Sequence, residues 1–192
     1  MTMLTDAELF SHLPSRRSAE LQRAIGRTLL DVRRVFVLGL DSFHRSVPGV
    51  TDADFFALNV GPAELHFDEG VTQTLAVWGE QLSVVLLDER LVQQEDATLV
   101  SLRETPLATA RLKAVLGRRC SDVRIWTFRE DIESDEAKQA AVSYVLDDEE
   151  LFYGIYVHGT GDNDTLIFRD EIITNLVESC FSLGEGRPLP VS

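Results

Sequence analysis

Apolar residues recur along the chain at two different periods, and the points where the period changes mark the expected elements. Thr5 followed by Asp6 and Glu8 reads as a helix start, with Glu8 in the capping-box position and Pro14 ending the helix. A longer helix is predicted from Arg16 to Val32, because Leu21, Ile25, Leu29 and Val32 recur at spacings of four, four and three. From Arg33 to Leu40 the pattern turns β-like, and Asp41 to Thr51 reads as a polar loop with a Pro48-Gly49 turn.

Four short runs follow, Phe55–Val60, Ala63–Phe67, Val71–Trp78 and Gln81–Leu87, each separated from the next by a turn-prone break. Breaks this short cannot carry a parallel crossover, so an antiparallel four-strand meander is expected. A short strand is placed around Leu99, a helix from the Thr105-Pro106 cap to Gly117, and a strand over Val123–Phe128. Ser134 is read as capping a helix that carries Ala137, Ala140, Ala141, Tyr144 and Val145 on one face. Leu151–His158 and Thr165–Phe168 form a hairpin around a polar turn, and Asp170 opens a last helix through Cys180 that stops at Gly184.

The predicted fold class is therefore α+β. An antiparallel four-strand meander is joined to a strand-helix-strand-strand-helix second half, with the long N-terminal amphipathic helix packed on the sheet. No internal repeat or linker is read in the chain, which gives one globular domain over residues 1–184 and a C-terminal tail over 185–192. The close of the chain, Glu150 to Gly184, resembles the end of ligand-sensing regulatory domains in which a hairpin leads to a final amphipathic helix.

Composition narrows the functional classes. The chain has 192 residues, 44% hydrophobic and 26% charged, with a formal net charge of −14. Such a charge disfavours direct nucleic-acid binding by the chain as a whole. No apolar run is long enough to span a bilayer, and Asp6 and Glu8 stand where a signal peptide carries basic residues, so a soluble cytoplasmic protein is expected. Cys120 and Cys180 form no paired motif; a reactive thiol at Cys120, beside Arg118 and Arg119, is the alternative to a small buried residue.

The acidic total hides a basic segment: residues 15–34 hold six arginines against Glu20 and Asp31. On the expected helix, Arg16, Arg23, Arg27 and Arg34 share one face opposite Leu21, Ile25 and Leu29. That ridge would dock an acidic protein partner, a phosphate-bearing ligand or a second copy's acidic surface, since arginine binds carboxylates and phosphates bidentately. The plain alternative is a solvated face balanced by the chain's own carboxylates.

Other polar groupings are less specific. Asp41-Ser42-Phe43-His44 holds the residue types of a triad but lacks the G-x-S-x-G elbow. His158-Gly159-Thr160-Gly161-Asp162-Asn163-Asp164 fits a hairpin turn, since neither a calcium-loop nor a dinucleotide spacing is kept. The acidic runs 130–133 and 147–150 read as solvated loop charge, His66 as a surface residue, and no metal or cofactor site is expected. The functional expectation is a non-catalytic regulatory, sensory or partner-binding domain, with the Arg ridge as the contact. A small hydrolase or transferase using Asp41, His44 and His158 at a cleft is the alternative, and an acidic nucleic-acid mimic the third.

Overall fold

The first helical face ends sooner than its spacing suggests. The structure, a computed structural model, describes residues 6–36, 38–79, 82–93, 97–129, 138–155, 157, 164–172, 176–182 and 187–188. Helices α1 (Asp6–Ser11) and α2 (Ser18–Gln22) are short, and Gly26, at φ +82°, turns the chain into strand β1 (Leu29–Phe36). Glycine adopts that backbone without steric cost, and the β-branched and aromatic content beyond it favours a strand. The helix predicted over Arg16–Val32 is thus corrected. Leu21 and Leu29 are both buried, one from a helix and the other from a strand.

Strand β1 leads into α3 (Leu40–Ser46) and α4 (Phe55–Leu58), which correct the predicted loop over Asp41–Thr51 and the predicted strand over Phe55–Val60. Strands β2 (Ala63–Phe67), β3 (Thr72–Trp78) and β4 (Ser83–Leu87) are successive antiparallel neighbours, and β5 (Thr98–Ser101) pairs with β1. Helix α5 (Ala110–Lys113) is capped by Thr109 rather than Thr105. Strands β6 (Cys120–Phe128), β7 (Gln139–Leu146), β8 (Glu149–Gly154), β9 (Thr165–Phe168), β10 (Leu176–Ser182) and β11 (Arg187–Pro188) complete the chain.

Two predicted helices of the second half are overturned. Residues 139–146 are strand β7, buried on both faces, so the apolar run carries no alternation and imitates a helical stripe; residues 131–137 lie outside the described residues. Residues 176–182 are strand β10, and Arg187–Pro188 pairs with its end inside the predicted tail. The α+β class holds in the coarse sense of two antiparallel sheets with few, short helices. The meander-plus-alternating pattern does not.

The sheet orders are β4-β3-β2-β1-β5 and β11-β10-β6-β7-β8-β9. Setting β11 aside, the second order repeats the first with five added to each strand number, so the chain contains the same five-stranded unit twice. The sequence follows once the register is known. Ala19, Leu21, Gly26, Arg27, Asp31, Val32 and Arg33 recur as Ala110, Leu112, Gly117, Arg118, Asp122, Val123 and Arg124. Gly117 repeats the positive φ of Gly26 at +86°.

The two units meet about a pseudo-two-fold axis at the Thr28–Arg119 bridge. The Gly26 amide donates to the Cys120 carbonyl at 2.7 Å and Gly117 to Leu29 at 2.8 Å; Cys120 donates to Arg27 at 2.7 Å and Leu29 to Arg118 at 2.9 Å. Asp68 and Asp147 likewise donate to Thr28 and Arg119, each at 3.0 Å. Bonds exchanged in reciprocal pairs are the mark of an isologous contact, here within one chain. One apolar core then runs between the inner sheet faces, from Val32, Leu65 and Leu75 to Val123, Val142 and Leu151.

Symmetry breaks at Arg34, whose counterpart is Ile125; both side chains are fully buried. Between its first two strands the first unit carries helices α3 and α4, and their last carbonyls need donors. Arg34 supplies them, donating to Phe56 (2.6 Å), Ala57 (3.0 Å), Asn59 (2.7 Å) and Gly61 (2.7 Å), and to the Asp164 carbonyl of the second unit. The Asp164 carboxylate accepts from the Gly61 amide at 3.0 Å and the Tyr153 hydroxyl at 2.9 Å. Burial pushes the Asp164 carboxyl up and the Arg34 guanidinium down, toward their neutral forms, while their mutual attraction opposes this.

Gly61 has no room for a side chain, since an added Cβ would sit 1.9 Å from the Val35 carbonyl oxygen, with φ at +151°. Gly61→Ala should lower urea-determined stability by about 3 kcal/mol or more. Gly79→Ala, where nothing lies within 4 Å of the new atom, should change it by about 0.5 kcal/mol at most. Equal effects at the two positions would contradict the close approach of the Gly61 loop to β1.

Candidate functional site

Duplication supplies an internal reference for the outer sheet faces. Aligning Gly26 on Gly117 and following the strand registers outward places Asp31 on Asp122 and Arg33 on Arg124. It also places Glu64 on Ser143, His66 on Val145, Thr72 on Glu150 and Thr74 on Phe152. Side chains at paired antiparallel positions share a face, so these residues mark corresponding spots on the two outer surfaces.

In the second unit that surface is closed. Trp126 and Phe152 pack with ring centroids 5.3 Å apart and their planes tilted by 46°, and the Arg169 guanidinium lies 4.4 Å over the indole. Beneath them Trp126 Nε1 donates to Ser143 Oγ at 2.8 Å, and Ser143 donates to Glu150 Oε1 at 2.7 Å. Arg124 is clamped between Asp122, at 2.9 Å, and Glu150, at 3.4 Å.

In the first unit the corresponding positions are polar: Glu64 and Thr74 are buried, while Asp31, His66 and above all Arg33 reach solvent. Helix α1 and the turn after it set Leu9 and Leu13 against Ala76, Trp78 and Val85, covering only the β3–β4 end. Over β1, β2 and β5 remains a hollow of about 410 Å³, with Asp31, Arg33, His66, Ser101 and Arg103 among its walls and Leu30 and Leu99 as its apolar parts. The volume falls in the range of small-molecule sites, about 300–1,000 Å³.

Two of its groups are fixed by their neighbours. The Asp31 carboxylate accepts from its own strand's Val32 amide (2.9 Å), from Ser101 Oγ (2.8 Å) and from the Arg103 amide (3.2 Å). Glu64 is buried, its Oε1 2.5 Å from His66 Nε2 and its Oε2 accepting from the Leu91 amide at 2.9 Å. An ionised carboxylate only accepts, so the imidazole donates through Nε2, which fixes the plane of a half-buried ring at the edge of the hollow. Burial pushes the Glu64 carboxyl up, but the His66 bond, the Leu91 amide and the nearby charges of His66 and Arg33 outweigh it, and the net direction is downward.

The residues singled out from sequence lie elsewhere. Arg16 is exposed over the Phe10 ring, 4.1 Å from its centroid, and Arg23 is the exposed C-cap of α2. Arg27 pairs with Glu69, as its counterpart Arg118 pairs with Asp148, and Arg34 is interior. Without the long helix these four arginines share no face. Asp41 is exposed in the first turn of α3, His44 pairs with Asp52 at 2.8 Å, and His158 lies outside the described residues. Cys120 is buried with its thiol pushed up to about 12 by desolvation, so the flanking arginines do not make it a thiolate; the side chain of Cys180 lies outside the described residues.

Asp31, Arg33, Glu64, Ser101 and Arg103 were not singled out from sequence, and His66 was read as an ordinary surface residue. One signal was there: the stretch Gly26 to Arg33 returning as Gly117 to Arg124. Among the described residues no group of three or more His, Cys, Asp or Glu is placed to hold a metal ion, and no helix is long and apolar enough to cross a membrane. Searches of family models, curated proteins and solved structures find no match to this chain.

The lowered Glu64 carboxyl has a thermodynamic consequence. A carboxylate whose folded value lies below its usual 4.5 adds stability that is complete above that pH and is lost as pH falls through the folded value. Wild-type protein should therefore exceed Glu64→Gln in urea stability at roughly pH 6, and the gap should narrow toward roughly pH 3. A gap independent of pH would show that the Glu64–His66 pair does not favour the ionised carboxylate.

Proposed function

We propose that the protein is a non-catalytic binding domain of regulatory or sensory type, whose recognition surface is the open outer face of the first sheet. The observation that carries this reading is the contrast between the duplicated faces. Where the second unit carries the Trp126–Phe152 pair and an Arg124 held by two carboxylates, the first has polar residues bordering a hollow. Polar side chains held by second contacts around a concave space are what a small-ligand site requires. Arg16 and Arg23, both exposed, are available as a separate contact for a protein partner or a second copy. A cytoplasmic setting agrees with the buried, reduced Cys120.

The Glu64–His66 pair supports a second reading, general acid–base chemistry in the same hollow, because a buried carboxylate orienting an imidazole is a recurring arrangement. Conversion of a bound compound by wild type, abolished in His66→Gln, would favour this reading over simple binding.

The double variant Glu64→Ser/His66→Val gives the first unit the residues its duplicate carries. It should stay folded, within about 2 kcal/mol of wild type, since the second unit shows that the strands accept both residues. Saturation-transfer NMR with dicarboxylates, amino acids, nucleoside monophosphates and polyamines should show at least one class contacting wild type and none contacting the variant. No contact with wild type, or equal contact with both proteins, would remove the proposal.

A further inference from the structure

The two outer faces also differ in what answers their common arginine. Arg124 is held by two carboxylates, Asp122 on its own strand and Glu150 from across the sheet. Its counterpart Arg33 keeps only the first, Nε to Asp31 at 3.5 Å, and its terminal amino groups have no hydrogen-bond or ion-pair partner among the described residues. At the place of Glu150 stands Thr72, which brings no charge. Glu64, directly opposite Arg33 on β2, is turned to His66 and the Leu91 amide, and no ion pair forms between it and Arg33.

Arg103 borders the same hollow. One of its amino groups donates to the Leu30 carbonyl at 2.6 Å, and no carboxylate pairs with its guanidinium among the described residues. Two exposed guanidinium groups whose terminal amino groups face no protein carboxylate within ion-pair distance among the described residues thus border one concave space, beside an imidazole whose orientation Glu64 fixes. Guanidinium groups in this state bind carboxylates by paired charge-assisted hydrogen bonds. Leu30 and Leu99 supply apolar wall for a short carbon skeleton.

We propose that the hollow binds a small organic carboxylate, one carboxylate group resting on Arg33 in the role that Glu150 plays toward Arg124. This rests on the reading of the open face as a ligand site and adds the chemical class of the ligand. Arg103 takes a second acidic group, so a dicarboxylate binds more tightly than a monocarboxylate of the same length. Glu104, the remaining carboxylate of the wall, disfavours larger polyanions.

The test is an amide-resolved NMR titration of the full chain with succinate, acetate, inorganic phosphate and putrescine. Succinate should shift the amides of Asp31–Arg33 and Ser101–Arg103 saturably, at least tenfold more tightly than acetate. Arg33→Gln should weaken succinate at least tenfold, and Thr72→Glu, which returns a carboxylate to the Glu150 position, should do the same in a folded protein. Shifts of these amides by putrescine or phosphate but not by succinate would overturn the carboxylate assignment while leaving the site in place. No shift with any of the four would overturn both the assignment and the site. Unchanged succinate affinity in both variants would overturn the role of Arg33.

Discussion

A guanidinium sealed inside an apolar core has to find acceptors for its terminal amino groups, and the position of Arg34, whose Nε alone goes without one, makes that requirement an organising constraint. Its terminal nitrogens collect the carbonyls of Phe56, Ala57, Asn59 and Gly61, which fixes the path of the chain from α4 into β2. The same side chain reaches the Asp164 carbonyl ahead of β9, so one residue of the first unit organises a segment of the second. Leaving a buried carbonyl without its donor costs about 1–3 kcal/mol, and Arg34 serves several, against the 5–15 kcal/mol that typically holds a domain folded. Ile125 at the duplicate position needs none of this, because no helices sit between β6 and β7 among the described residues to present carbonyls.

The duplication accounts for the rest of the architecture with few assumptions. One strand order used twice, with reciprocal bonds through Gly26 and Gly117, gives two sheets that share an interior and leave their outer faces to diverge. The Asp-Val-Arg stretch is retained on both faces, and the change of character comes from the strands beside it. Val145, Glu150 and Phe152 stand on one surface where His66, Thr72 and Thr74 stand on the other. Backbone and core are thus common property of the two units, and the outer faces are where they differ.

Parts of this were legible from the residues alone. Ala63–Phe67, Val71–Trp78 and Gln81–Leu87 are rich in β-formers and punctuated by glycine and acidic turns, and each contains a strand. The errors have a shared cause. Apolar spacing reports burial, and a strand buried on both faces, such as Gln139–Leu146, carries no period of its own. Leu21 and Leu29 mimicked one helical stripe because the bend at Gly26 returns both side chains to the same core. The repeat stayed hidden because the matched residues are confined to the stretch between Ala19 and Arg33, and it emerges from the strand order. The outer face was illegible for a related reason: Asp31, the Glu64–His66 pair and Arg103 are far apart in sequence, and cross-strand register brings them together.

The central claim, that the two units form one cooperative body joined through Arg34, can be read with the chain's two tryptophans, Trp78 in the first sheet and Trp126 in the second. Urea unfolding of Trp78→Phe and Trp126→Phe, each followed by fluorescence and by circular dichroism, reports each sheet against its own global transition. The account predicts coincident curves in both proteins, and a lower but still coincident midpoint when Arg34→Met is added to either. A sheet that melts apart from the global transition while Arg34 is intact would contradict it.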